Sequence, residues 1–324
     1  MDAFISDYKT KNGTKSKHTE QTLISSIKRI EKAVGSKFEN WTIETFGSAS
    51  DILDKMLDSY TLNTIILTYL AIIRFLEYKK APEAKLTDFR DTLNELVAER
   101  QGEEYKQEGG AAEMSNWIPY EQLKQKVLDK APDYLEKQKA YTDYRNFLIL
   151  ALYTLQPPTR IGNYLDMRVK DQARLKKEID KLPAKYNYIY NTGTSEAPKY
   201  KFIFNTYKTA KYIGKVSHTV EDETLNKLLH KWLTKYNIKI DVPFLQNANG
   251  KPFTQSNFTN AQNSITKKVL DKELTTNDFW HIYLTWFLSR NPSIEEKQKI
   301  AQIIGQKYKP SRMELYERRD APAV

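Results

Sequence analysis

Apolar residues recur at helical spacing through the first hundred positions of the chain. In residues 18–35, for example, Leu23, Ile27 and Ile30 fall three or four positions apart. The same kind of spacing marks further segments at 48–60, 62–78 and 85–100. Four helices can close a small bundle, so the pattern predicts a helical domain over residues 1–105.

A polar stretch interrupts this pattern at residues 101–116, where Gly109 and Gly110 stand side by side. Glycine pairs among polar residues are typical of connections between domains. We therefore expect a linker at 106–116 and a second domain over 117–324. That domain opens with further helical patterns.

The periodicity changes from helical to alternating after Arg160. Three segments within 186–220 are rich in Tyr, Ile, Phe, Val and Thr, and turn residues separate them. This composition predicts a three-stranded antiparallel sheet at about 186–220. Helical spacing returns at 222–236 and continues beyond it. The predicted fold is therefore mainly α, with a small antiparallel β-sheet in the second domain.

The charge of the chain is uneven. Its 324 residues include 51 Lys and Arg against 41 Asp and Glu, a formal charge of +10. Residues 108–324 hold 35 of the basic and 24 of the acidic side chains, so the whole excess lies in the second domain. An excess of this kind favours a polyanionic partner such as a nucleic acid.

Cysteine is absent, and the longest apolar stretch (62–78) is interrupted by Asn, Thr and Arg. The first fact excludes disulfides, thiol nucleophiles and cysteine-based metal sites, and it agrees with a reducing, intracellular compartment. The apolar stretch is too short for a membrane span, and the start of the sequence has no apolar core of signal-peptide length. We therefore expect no membrane partner.

Conventional metal and nucleotide motifs are missing from the sequence. The histidines are scattered without a paired spacing, and there is no Gly-rich phosphate loop and no GxSxG elbow. We therefore expect no metal and no nucleotide cofactor. The remaining candidates for chemistry are basic and phenolic: Arg160, Lys208, the aromatic segment 277–288 and Tyr316.

In order and context, these features resemble the motifs of the tyrosine recombinase (phage integrase) family, especially divergent members from eukaryotic viruses, virophages and mobile elements. An Arg opens a helix after a turn, a Lys sits in a β-hairpin, an aromatic helix follows, and a Tyr comes soon after an IAxxIG helix end. The resemblance covers essentially the whole chain. It implies an N-terminal core-binding domain, a C-terminal catalytic domain, double-stranded DNA as the partner and no cofactor.

The chemistry of that family uses the residue types that this chain offers. A tyrosine hydroxyl can attack a DNA phosphodiester, expel the 5′-hydroxyl and form a 3′-phosphotyrosine. Guanidinium groups donate N–H groups to the charge that develops on the phosphate oxygens. A lysine can protonate the leaving oxygen.

Three positions match the motif of the family residue by residue. Arg160 matches the first arginine, Lys208 matches the hairpin lysine and Tyr316 matches the nucleophile. Lys211, three residues further along the same turn, remains the alternative to Lys208. Tyr308 lies too close to the preceding helix end to be the nucleophile.

Three other positions depart from the motif. Where the family has His or Lys followed three residues later by Arg, this chain has Asn277 and Trp280, and Gln306 replaces a His after Gly305. The Asn and Gln amides can still donate to a phosphate oxygen, and Asn277 could equally cap a helix. Trp280 cannot replace an arginine, whose loss commonly costs about 3 kcal/mol of transition-state stabilisation.

Other side chains near these motifs have alternative roles. The missing guanidinium could come from elsewhere in the second domain: Arg290, Arg312, Arg318 or Arg319. His281 stands beside the family's His-x-x-Arg position, but on an apolar helix it is interpreted as a hydrogen-bonded structural histidine.

The resemblance also implies self-association on DNA as a tetrameric synapse. Only eight residues follow Tyr316, so the C-terminal helix that many members exchange between protomers is expected to be short or missing. The expected location is the host nucleus or a viral factory for a eukaryotic virus, and otherwise the cytoplasm or nucleoid. Three alternatives stay open: a catalytically degenerate DNA-binding relative, a type IB-like topoisomerase, and a basic helical scaffold without a DNA role.

Overall fold

The computed structural model describes residues 1–11, 17–165, 167–171, 182–247, 249–306, 308–309 and 313–321. The chain divides into two units, Met1–Lys106 and Gln107–Val324. Each unit has an apolar core of its own. The two units are therefore described separately.

The first unit is helical in its described part. Its helices are α1 (Asp2–Lys11), α2 (Lys17–Val34), α3 (Ala49–Leu57), α4 (Leu62–Tyr78) and α5 (Glu83–Lys106). The four helical segments predicted from the spacing are confirmed as α2 to α5. The spacing missed α1, which buries only Phe4 and Ile5 and so has little periodic signal.

An aromatic cluster around Phe75 of α4 forms the centre of this unit. The ring centroid of Phe75 lies 5.3 Å from that of Trp41 and 5.5 Å from those of Phe38 and Phe46. Aromatic pairs at such distances add to the free energy of apolar burial. The cluster holds the short connection between α2 and α3, and Ser48 then caps α3 by accepting a hydrogen bond from the Asp51 N–H.

The polar stretch that separates the two sequence patterns is largely helical. Helix α5 continues as far as Lys106, and a short helix, α6 (Ala111–Asn116), follows. Glu, Gln, Lys and Ala are strong helix formers, and these residues dominate the stretch. Gln107, between the two helices, is buried, so the chain is packed at this point.

The second unit begins its core with α7 (Tyr120–Glu136) and α8 (Tyr141–Thr154). Every residue of α8 from Phe147 to Thr154 is buried. Further along the chain come α9 (Ala210–Ile213), α10 (Glu223–Lys235), α11 (Gln255–Leu270), α12 (Thr276–Ser289) and α13 (Ile294–Ile303). No helix in the described part of the chain is long and apolar enough to cross a membrane.

In the described residues, the sheet of the second unit has four strands rather than the predicted three. Its order is β1 (Arg168–Val169), β2 (Tyr188–Asn191), β3 (Tyr200–Phe204) and β4 (Val216–Thr219). The antiparallel pairing of β2, β3 and β4 is confirmed, whereas β1 runs parallel to β2 and makes the sheet mixed. A two-residue strand has no alternation to detect, which is why the pattern missed β1.

Candidate active site

One open cavity of the second unit, of about 350 Å³, collects most of the residues singled out in the sequence. Its lining comes from five separate parts of the chain: Arg160, Ile161, Gly162, Asn163, Lys208, Gln255, Thr276, Asn277, Trp280 and Tyr316. Five of the six predicted site residues are in this lining. The sixth, Gln306, touches Tyr316. The structure therefore brings the six predicted residues close together in space.

Arg160 enters the cavity from the end of α8. It lies just before the single helical turn Ile161–Asn163, and its side chain is half-buried. Its Cζ lies 5.3 Å from the centroid of the Trp280 ring, a cation–π distance. Within the described residues, Arg160 forms no ion pair with a carboxylate, and its Nε is buried without a hydrogen-bond partner. Its positive charge therefore remains available to an anion.

Lys208 lies on the connection between β3 and β4 and is exposed at the cavity. The Tyr207 hydroxyl closes this connection by donating to the Gly214 carbonyl at 2.6 Å. Lys211 instead places its Nζ 4.8 Å from the centroid of the Tyr212 ring and does not line the cavity. The geometry thus places Lys208, and not Lys211, beside the other candidate residues.

Tyr316 and Gln306 are in direct contact. The Gln306 Nε2 donates to the Tyr316 hydroxyl at 3.3 Å. Gln306 is presented by Gly305, whose φ of +71° is in the left-handed region that favours glycine. The Thr209 hydroxyl donates to the Gly305 carbonyl, so the turn that carries Gln306 is tied to the residue next to Lys208.

Helix α12 contributes Asn277 and Trp280. The N-cap of this helix is Thr275, which forms a capping box with Asp278, so the alternative role of Asn277 as the cap is wrong. Asn277 is exposed in the first turn, whereas Trp280 is 4% exposed. The Trp280 ring centroid lies 5.5 Å from that of Tyr316, so one indole contacts both the candidate nucleophile and the candidate phosphate clamp.

Two helix starts adjoin the cavity, and the motif comparison did not point to either. Gln255 is the first residue of α11 and Thr276 is the first residue of α12, and both line the cavity. Unpaired backbone N–H groups and the helix dipole make such starts favourable for a negative charge. Periodicity and capping residues in the sequence could locate these helix starts, but not their convergence.

Three of the four candidate replacements for a second guanidinium are described, and none of the three lines the cavity. Arg290 Cζ stands 4.9 Å from the Trp286 ring centroid, and Arg318 pairs with the Glu113 carboxylate at 2.8 Å. Arg319 lines a different cavity, beside Trp286, and Arg312 lies outside the described residues. Among the described arginines, Arg160 alone lines the cavity of the candidate site.

Both ring nitrogens of His281 lie within hydrogen-bond distance of a partner. Its Nδ1 lies 2.9 Å from the Tyr316 carbonyl oxygen, and its Nε2 lies 2.9 Å from Arg318 Nη2. His281 therefore contacts the main-chain carbonyl of the candidate nucleophile. In the described part of the chain, no cluster of three His, Asp or Glu side chains could hold a metal ion.

Comparison with known proteins identifies the fold. No protein-family model and no curated protein sequence matches this chain. The XerH site-specific recombinase, solved with its difH substrate in a pre-cleavage complex, aligns with a TM-score of 0.52 and 12% identity over 87% of this chain and 68% of XerH. A crystal structure of the XerA recombinase aligns with a TM-score of 0.41 and 14% identity, over 97% and 92% of the two chains.

The match to XerH defines the class of fold. The chain has the fold of the tyrosine recombinases, in which an N-terminal helical domain precedes a mainly helical catalytic domain with a small sheet. The candidate site lies in the second of these units.

Proposed function

We propose that this protein is a site-specific recombinase or integrase that cuts and rejoins double-stranded DNA through a 3′-phosphotyrosyl intermediate. The observation that carries the proposal is convergence: Arg160, Lys208, Asn277 and Tyr316 line one cavity although they lie far apart in the sequence. The shared fold with XerH and the excess of basic residues in 108–324 support the same function.

The proposed reaction uses the described side chains in separate roles. The Tyr316 oxygen attacks the phosphorus as its hydroxyl proton passes to water in the open cavity, the bond from phosphorus to the 5′-oxygen breaks, and Lys208 gives that oxygen a proton. Arg160 donates N–H groups to the non-bridging oxygens, where negative charge develops. Gln306 and Asn277 add amide donors at the same phosphate. Rejoining reverses these steps when a 5′-hydroxyl attacks the phosphotyrosine.

Trp280 has a supporting role in this scheme and lowers the expected rate. The indole lies at cation–π distance from the Arg160 guanidinium and restrains it, an interaction worth about 1 kcal/mol. It supplies no positive charge of its own, and one missing guanidinium contact commonly reduces a rate about a hundredfold. We therefore expect slow cleavage.

A second candidate function is that of a DNA-binding relative that does not cleave. The observation that favours it is the single arginine that the described residues contribute to the cavity. A protein of this kind would bind duplex DNA through the same surface and would form no phosphotyrosine. The two candidate functions differ in one measurable product, the covalent adduct between protein and DNA.

A covalent-adduct assay separates the two functions. The protein is incubated with a library of nicked duplexes of random sequence, from which the strand downstream of the cleavage point diffuses away and so traps the intermediate. We expect an adduct from the wild-type protein and from Tyr308→Phe, and none from Tyr316→Phe. Duplex binding without any adduct across the library would favour the binding-only function, and equal adduct from Tyr316→Phe would exclude Tyr316 as the nucleophile.

The resemblance in the motifs also implies a mode of assembly and an origin. We propose synapsis of two duplexes by a tetramer, which recombination of two labelled duplexes would distinguish from relaxation by a topoisomerase. The departures at Asn277, Trp280 and Gln306 support a divergent member of the family, from a virus-like or mobile element. Its place of action would be the compartment that holds the target DNA.

A further inference from the structure

Residues 107–113 form hydrogen bonds and an ion pair with residues 314–320, the segment that contains Tyr316. The contacts between the two segments are Gln107 Nε2 to the Glu314 carbonyl, Arg319 N to the Gln107 carbonyl at 2.9 Å, Gly109 N to the Asp320 carboxylate at 3.0 and 3.1 Å, and Arg318 to the Glu113 carboxylate. Helix α5 leads directly into this stretch. These contacts therefore connect residues 314–320, which include Tyr316, to the stretch that follows α5.

The contact between Arg318 and Glu113 is the strongest of this set. Arg318 donates from Nε to Glu113 Oε1 at 2.8 Å and from Nη2 to Oε2 at 3.2 Å, a bidentate pair. The two side chains are only 13% and 18% exposed, so water screens the pair weakly. Arg318 also donates its backbone N–H to the Thr285 hydroxyl at 2.9 Å.

His281 connects this ion pair to Tyr316. Arginine can only donate hydrogen bonds, so the His281 Nε2 that meets Arg318 Nη2 at 2.9 Å must be the acceptor. The proton of the neutral ring then lies on Nδ1, which donates to the Tyr316 carbonyl at 2.9 Å. One tautomer of His281 therefore satisfies both contacts.

We propose that His281, Arg318 and Glu113 are positioning residues for Tyr316, a role that rests on the proposed nucleophilic function of that tyrosine. Glu113 orients Arg318, Arg318 selects the tautomer of His281, and His281 holds the Tyr316 carbonyl. Because the chain is fixed at its carbonyl, the phenol is directed toward the cavity that holds Arg160. Misplacement of a reacting group by about 1 Å can cost a hundredfold in rate.

The arrangement predicts loss of cleavage in acid. Burial lowers the pKa of His281, and the Arg318 cation lowers it further, whereas the Tyr316 carbonyl, Glu113 and Asp278 raise it. The net shift is downward, so the ring is neutral at neutral pH. Below its pKa the ring carries a proton on Nε2 as well, which faces the Arg318 donor and breaks that contact. Cleavage should therefore slow as the pH falls through the pKa of His281.

Single-turnover rates at saturating duplex test this role from neutral pH down through 6.5, the ordinary pKa of a histidine, to the lowest pH at which the protein stays folded. His281→Asn keeps a donor near the Tyr316 carbonyl but does not titrate, so we expect a neutral-pH rate within about threefold of wild type and a smaller loss in acid. We expect His281→Leu and Glu113→Ala to lower the rate about tenfold or more without weakening DNA binding. Glu103→Gln, on the exposed side of α5, serves as the matched control and should match the wild type.

The outcomes that overturn the proposal are specific. A wild-type rate in His281→Leu would remove His281 from the reaction, and a parallel loss of DNA binding would show a structural role alone. Because His281 and Glu113 act through one chain of contacts, the double variant should be no slower than the slower single variant. Independent, multiplying losses would contradict that coupling.

A fluorine NMR measurement tests the positioning role without requiring that the protein cleave DNA. With 3-fluorotyrosine at position 316, the fluorine resonance of the whole protein should shift with pH in the wild-type background and lose that shift in His281→Asn. If no adduct forms but this titration is present, the nucleophilic function fails while the contact stands. A resonance that does not change with pH would overturn the positioning role itself.

Discussion

Trp280 packs against the two side chains that are closest to the proposed chemistry. Its ring centroid lies 5.3 Å from Arg160 Cζ and 5.5 Å from the centroid of Tyr316. The indole is 4% exposed, so it fills volume and fixes its neighbours without adding charge. Trp280 therefore restrains Arg160 and Tyr316, but it does not supply the positive charge that an arginine at this position would supply.

Trp280→Arg should raise the rate of adduct formation about tenfold or more, because a second guanidinium would meet the phosphate charge. The measurement is the single-turnover rate on a trapped duplex, at a temperature where circular dichroism shows the variant to be folded. Trp280→Phe is the control, since it keeps an aromatic ring and adds no charge. A folded Trp280→Arg protein that is no faster than Trp280→Phe would contradict this account of the position.

The sequence identified some residues of the site and missed others for a physical reason. Arg160, Lys208 and Tyr316 could be recognised because each stands in a local pattern of turn, hairpin or helix end. The contacts of His281 with Arg318 and of Arg318 with Glu113 span 37 and 205 positions. A local pattern carries no information about contacts over such distances, so this network emerges only from the fold.

The candidate residues lie close together because the ends of several helices meet at the cavity. Helices α11 and α12 begin at the cavity, Arg160 follows the end of α8, and Gly305 ends α13 so that Gln306 reaches Tyr316. Amphipathic spacing predicted the long helices because apolar stripes must be buried. It missed β1 and α1, whose short lengths or sparse apolar residues leave no period, and it gave no sign that residues 111–116 form a helix.

Gly305→Ala tests the turn that presents Gln306. An added Cβ would stand 3.1 Å from the Tyr207 ring, and a φ of +71° is unfavourable for alanine. We expect the free energy of unfolding to fall by about 1–3 kcal/mol, as measured by urea denaturation, together with slower adduct formation. Gly102→Ala, within α5 where nothing lies within 4 Å of the new Cβ, should instead be neutral or stabilising by up to about 1 kcal/mol. Equal effects of the two substitutions would refute the role of the turn.

The excess of positive charge is confined to one of the two units. The excess of positive charge lies in residues 108–324, which also contain the cavity with Arg160, Lys208 and Tyr316. A polyanion is therefore attracted to the unit that holds the candidate chemistry. The same unit buries His218, which is 9% exposed and hydrogen-bonded from Nε2 to Gln156 Oε1 at 3.2 Å.

The stability of the protein should fall in acid because of His218. Burial lowers the pKa of His218 to about 4, against 6.5 for the free side chain. Between these values the unfolded chain takes up a proton that the folded chain does not, so the free energy of unfolding decreases as the pH falls from about 6.5 to about 4, by about 3 kcal/mol in full. Denaturant unfolding across this range should show a smaller decrease in His218→Gln, and an unchanged decrease would contradict the assignment to His218.

The covalent bond to DNA that we propose for Tyr316 can be located by peptide mapping. Adducts trapped on nicked duplexes are digested with protease and nuclease, and mass spectrometry locates the residual nucleotide among the 21 tyrosines. We predict that the nucleotide is attached to Tyr316. Attachment to Tyr308 or to another tyrosine, or DNA binding with no attached nucleotide on any peptide, would rule out a phosphotyrosyl linkage at Tyr316.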